Sequence, residues 1–174
     1  MIQGGRREIL LGSVQIVASP EHRPPFAVDA VAAEEDTYLV LSADPEVRDP
    51  KIYPIGLMTR VIEARPETPG SVLVQGRHPI RFLAIVHDLN QEPTWKEEWI
   101  ESALLEIIRE AEGRRLGSIA LPLLGTLHGS LKKERFIVLL RRALEQVTPR
   151  YLQRIWLVMP AKTSYKILKK LEKK

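Results

Sequence analysis

The segment that most constrains this chain is 118–130, SIALPLLGTLHGS. Its first seven residues are short and apolar, the pattern of a strand covered on both faces in an α/β sheet. Gly125 and Gly129 bracket a tight loop, and Ser130 is suited to cap the amphipathic run that follows. A glycine loop feeding a helix N-terminus leaves backbone N–H groups pointing outward, a ready place for an anion. Gly125, Thr126, Leu127, His128, Gly129 and Ser130 are therefore the candidate phosphate-binding residues. The same order of elements also serves as plain α/β scaffolding, and no Gly-Lys-Ser/Thr follows at Walker A spacing.

The flanking pattern supports an α/β sheet. Residues 8–11 and 14–18 read as an N-terminal strand pair around Gly12. Strands are expected at 28–32 and 37–42, with Glu34, Glu35 and Asp36 between them. Residues 43–54 read as an irregular Pro/Asp loop and 53–64 as a helix. Strands at 71–75 and 81–87 follow, joined by a basic turn. Thr94 and Glu97 have capping-box spacing, which predicts a helix from Thr94 to a C-cap at Gly113. A helix over 131–147, a strand over 151–159 and a helix over 164–173 complete the chain. Strand and helix alternate through this half, which predicts a largely parallel sheet with helices on both faces.

The 174 residues suit one domain, 1–174, with a full-sized core. Cysteine is absent, which excludes disulfides, thiolate metal sites and cysteine nucleophiles and fits a reducing cytoplasm. No apolar run reaches membrane-spanning length, and 9–18 reads as strands rather than a signal peptide. A single asparagine beside thirteen prolines leans towards a thermophilic source. The net charge of +4 owes much to Lys162, Lys166, Lys169, Lys170, Lys173 and Lys174, which face only Glu172. The plain reading is a solvated helix end whose lysines suit the dipole. The alternative is a surface for RNA or an acidic partner, although no recognition motif accompanies it.

Further candidates lie around the loop. Lys132 and Lys133 sit where a helix N-terminus disfavours cations, a conflict that a bound anion would relieve. Asp88 ends a strand and suits either a ribose hydroxyl or its own turn. His128 suits stacking, hydrogen bonding or base chemistry. Arg77, His78 and Arg81 form a second basic cluster. His22, His78, His87 and His128 lack metal-ligand spacing, and nothing calls for a metal or cofactor.

From about residue 8 to 159 the chain resembles a macro domain. The resemblance is clearest in PGSVLVQGRHPIRFLAIVHDL, in the helix after Thr94 and in SIALPLLGTLHGS. The last is similar to the family's Pro-Ala-x-Gly-Thr-Gly-x-x-Gly phosphate loop. Pro122, Gly125 and Thr126 match, Leu127 replaces the second glycine, and Gly129 arrives one residue early. The resemblance implies a three-layer α/β/α fold with a mixed sheet, and binding of ADP-ribose or a related nucleotide. Ser13 stands where the family's adenine-recognising aspartate is expected. VDAVAAEED resembles Val-Asp-Ala-Ile-Val-Asn-Ala-Ala-Asn, with Ala33 and Asp36 in place of the two asparagines, and 43–54 replaces the glycine-rich loop. An adenine-binding carboxylate is worth roughly 1.5–3 kcal/mol, so its loss matters. A carboxylate at Asp36 facing the site would repel an anionic ligand.

The leading expectation is a ligand-binding module for an ADP-ribose-like or other phosphate compound, with Asp36 and Asp88 as possible ribose or pocket residues. One alternative is a non-catalytic interaction protein using the lysine-rich tail. The other is an ADP-ribosyl hydrolase in which His128 or Asp36 places water, disfavoured by the missing asparagines and glycine.

Overall fold

The structure is a computed structural model, and it describes residues 7–41, 65–160, 163 and 165–172. Its strands are β1 (Arg7–Leu11), β2 (Val14–Pro20), β3 (Ala30–Asp36), β4 (Val72–Gln75), β5 (Ile80–His87), β6 (Ser118–Pro122) and β7 (Arg154–Met159). They form one sheet in the order β1-β2-β7-β6-β3-β5-β4. The five inner strands are mutually parallel, and β1 and β4 run antiparallel at the two edges. The carboxyl ends of β2, β7, β6, β3 and β5 therefore share one edge, the edge at which open α/β sheets bind ligands.

Period-two alternation divides the sheet into two faces. Ile16, Ile155, Ile119, Ala30 and Ile80 lie side by side in register. That face packs on α1 (Glu97–Gly113) and α2 (Lys133–Val147), through side chains such as Leu104, Ile107, Phe136 and Leu140. The two helices also pack on each other. Ile167, Leu168 and Leu171 carry the short α3 (Lys169–Glu172), with its preceding 3-10 turn, onto the same core.

Several boundaries differ from the sequence expectation, each for a local reason. The strand expected at 28–32 is β3, which runs on through Glu34, Glu35 and Asp36, and the described part of the strand expected at 37–42 is instead a turn closed on Asp36. Those carboxylates accept backbone N–H groups, so their polarity does not end the strand. The Thr94–Glu97 capping box does not form. Lys96 stands at the N-cap of α1 without a side-chain cap, Thr94 Oγ1 lies 3.3 Å from His87 Nδ1, and Glu97 binds Arg135 instead. Ser130 does not cap α2, whose N-cap is Lys132. The strand expected at 151–159 is shortened to β7. The Glu112 carboxylate holds the N–H groups of Arg150, Tyr151 and Leu152 at 2.7–2.9 Å, out of the ladder. The C-terminal helix is a 3-10 turn followed by α3 rather than one helix over 164–173. The loop expected at 43–54 and the helix at 53–64 lie outside the described residues.

Candidate functional site

A cleft of about 850 Å³ opens on the face opposite α1 and α2 and extends to the carboxyl edge of the sheet. Its floor is Val31, Ala33, Ala120, Trp156 and Val158, the outward residues of β3, β6 and β7. This floor is small and apolar, and the Trp156 indole N–H is held by the Ser19 carbonyl at 3.1 Å. The segment after β2 supplies Glu21 and His22 to one rim. The loop after β6 supplies Thr126, Leu127 and His128 to another. Arg81 adds a cation over the floor. The volume suits a drug-sized or nucleotide-sized molecule.

The rim loop is built by two close approaches that only glycine permits. Gly125 has φ +78°, and a Cβ there would lie 2.2 Å from Ile100 Cδ1. A Cβ on Gly129 would lie 2.6 Å from the Gly125 carbonyl oxygen and 2.9 Å from the Trp95 ring. Leu131 N–H closes the loop on the Gly125 carbonyl at 3.1 Å, and Thr126 N–H and hydroxyl both donate to the Leu123 carbonyl. Among the described residues the N–H groups of Leu127, His128 and Gly129 have no such bond. Leu127 is 75% exposed at the tip.

Glu34 joins this loop to the sheet. One carboxylate oxygen accepts the Gly125 N–H, and the other lies 3.0 Å from His87 Nε2. An ionised carboxylate only accepts, so in this pair the imidazole N–H at Nε2 donates to Glu34. The other ring nitrogen, Nδ1, lies 3.3 Å from the Thr94 hydroxyl. Glu34 and His87 side chains are only 5% and 1% exposed. The His128 ring meets His87 edge-on at 6.1 Å. Glu34 thus sits inside the site, bordering the cleft.

Of the residues expected to bind, Thr126, Leu127 and His128 border the cleft. Gly125 and Gly129 shape the loop, while Ser130 is exposed. Asp36 is a correction. It is fully buried and its carboxylate accepts the N–H groups of Tyr38, Val40 and Leu41 at 2.7–2.9 Å, so it closes its own turn instead of facing the cleft. Asp88 also serves its turn, accepting Asn90 N–H at 3.0 Å and the Gln91 side-chain amide at 2.8 Å. In the basic cluster only Arg81 borders the cleft, and Arg77 and His78 are exposed in the β4–β5 turn. Lys133 bonds Thr163 Oγ1 at 3.0 Å, while Lys169 and Lys170 are exposed on α3. Among the described residues no cluster of three metal-ligating side chains occurs, and no helix is long and apolar enough to cross a membrane.

By sequence, no family model and no curated protein matches the chain. By structure, it superposes on the macrodomain of Oceanobacillus iheyensis solved with ADP, at a TM-score of 0.69 and 11% identity, covering 97% of this chain and 95% of that one. The same protein with bound MES gives 0.68 at 12% identity, with 97% and 95% coverage. The chain has the macrodomain fold. The macrodomain of Thermus aquaticus DarG is also similar, at 0.60 and 18% identity, covering 83% of this chain and 98% of that one. The mixed seven-stranded sheet with its helices is the α/β/α arrangement of macrodomains.

Placing the chain in the macrodomain fold also corrects the reading of Ser13. It lies in the β1–β2 turn, at the end of β2 remote from the cleft, where its hydroxyl donates to the Pro149 carbonyl at 3.2 Å. The acidic side chain at the cleft end of β2 is Glu21. Sequence reasoning missed Glu21 because GSV in the hairpin turn imitates the Gly-Asp-Ile motif. It missed Glu34 because the acidic triplet reads as a loop. Strand parity would not have found it, since Glu34 continues the Ala30, Ala32 row that packs on the helices; what brings it to the cleft border is the long-range bond to the Gly125 N–H.

Proposed function

We propose that the cleft binds an adenine-nucleotide-like ligand, and that the protein is a binding module. The observation that carries this reading is a cleft at the carboxyl edge of a macrodomain sheet, with a glycine loop offering the N–H groups of Leu127, His128 and Gly129 on its rim. Neighbours of this fold have been solved with ADP and with ADPR. A phosphate would sit on the loop N–H groups, as anions do on glycine-rich turns. The base would lie on the apolar floor beside Trp156, and Glu21 would accept its amino group. Binding rather than hydrolysis is favoured because Ala33 has no polar side chain and the Asp36 carboxylate is held in its own turn.

Calorimetric titration with adenosine monophosphate (AMP) and with ADP-ribose tests the proposal. Saturable binding of either, abolished by Ala33→Trp, supports it. Ala33 is half-buried on the floor, so the substitution fills the cleft without entering the helix-packed core. Absence of heat and of ligand-induced thermal stabilisation for every adenine nucleotide rejects it.

A further inference from the structure

We infer that this cleft selects a ligand with a single phosphate group over one with a diphosphate bridge, because the chain itself fills the inner anion-binding donors of the carboxyl edge. The inference rests on the nucleotide reading above. Two sets of backbone N–H groups at this edge converge as an anion site would. The first is Gly125 at the base of the rim loop, and Glu34 occupies it. The second is the turn after β3, where the N–H groups of Tyr38, Val40 and Leu41 converge on Asp36 and that of Leu41 also on Glu35. Of these buried carboxylates Glu34 is the one that borders the cleft, where a diphosphate reaching inward from the loop would need a donor, while Glu35 and Asp36 fill the turn behind it.

The outer donors differ. The N–H groups of Leu127, His128 and Gly129 have no hydrogen bond among the described residues and lie at the exposed tip. They suit one phosphate group held towards solvent. A second phosphate continuing inward would meet the Glu34 carboxylate across a low-dielectric cleft, where like charges repel strongly. A ribose hydroxyl at that point would instead donate to Glu34. Selectivity therefore comes from a repulsive element inside the site, Glu34, as much as from the attractive loop. Glu34 also pins Gly125 to β3, a purely structural role that a stability measurement alone would not distinguish.

The test compares AMP, ADP and ADP-ribose on the wild-type protein and on Glu34→Gln, which keeps the shape and an acceptor for Gly125 N–H while removing the charge. The wild type is expected to bind AMP about tenfold or more tighter than ADP-ribose, and Glu34→Gln to shrink that ratio about tenfold, the ratio rather than either affinity being the readout. Tighter binding of ADP-ribose than of AMP by the wild type overturns the inference and leaves the nucleotide reading standing. So does an unchanged ratio in a folded Glu34→Gln protein. If neither protein binds any of the three, both readings fail. Should Glu34→Gln not fold, the wild-type series alone decides, since the order of AMP, ADP and ADP-ribose follows from the filled donors.

Discussion

Replacing Gly125 by alanine tests how tightly the rim loop is bound to the core. The glycine has φ +78°, and an L-residue in the left-handed region costs about 1–2 kcal/mol. The new Cβ would stand 2.2 Å from Ile100 Cδ1, 3.3 Å from Ile100 Cγ1 and 3.4 Å from Leu131 Cβ. Ile100 is fully buried on α1, so it cannot swing into solvent, and overpacking of this kind costs about 1–3 kcal/mol. The sum is a destabilisation of about 2–5 kcal/mol, a fall in Tm of roughly 5–15 °C for a chain of this size. Urea unfolding is the assay, and the midpoint should fall with an unchanged m value. Ile100→Val deletes the clashing Cδ1. Alone it should cost about 0.5–1.5 kcal/mol, but with Gly125→Ala it should recover stability, giving a coupling of about 1 kcal/mol or more. Strictly additive effects, or a Gly125→Ala protein as stable as wild type, would refute the reasoning.

Other consequences follow from the same contacts. Asp36→Ala removes the acceptor for three backbone N–H groups and should cost about 2–4 kcal/mol in urea unfolding. Asp88→Ala, in an exposed turn that water can satisfy, should cost under about 1 kcal/mol. Glu97 is held below its ordinary value of 4.5 chiefly by the hydrogen bond from Arg135, at 2.9 Å, which ties α1 to α2. Because the folded value is the lower one, this contribution is complete above about pH 4.5 and disappears as pH falls through the folded value. Both side chains are a third or more exposed, so the wild-type advantage over Glu97→Gln should stay under about 1 kcal/mol at neutral pH and vanish in acid unfolding titrations. His128→Ala, at an exposed rim position, should leave stability within about 0.5 kcal/mol while weakening nucleotide binding by titration.

The sheet was legible in the sequence wherever apolar periodicity was strong. The strands around Ile16, Phe82, Ile119 and Ile155 and the two long helices follow from alternation and helical spacing. Their termini were less legible, because capping residues have competing partners. Thr94 and Glu97 have capping-box spacing, yet His87 and Arg135 claim them from elsewhere in the chain. The rim loop was readable from its glycines and their order after a strand. The character of the site was not. Glu34, Glu35 and Asp36 look like a solvated break, and only long-range bonds to residue 125 and to the turn at 38–41 make them the buried end of β3. Motif matching singled out Asp36 as the carboxylate able to oppose a ligand, whereas the carboxylate that borders the cleft is Glu34, tied to the rim loop through Gly125.

The most direct test of the binding cleft is a heteronuclear NMR titration with AMP, following backbone amides and the Trp156 indole. The account predicts saturable shifts at Leu127, His128 and Gly129 together with the Trp156 indole N–H, and none in the β1–β2 turn at Gly12 and Ser13. Shifts absent at saturating AMP, or confined to residues away from the cleft such as the α3 lysines, would contradict it.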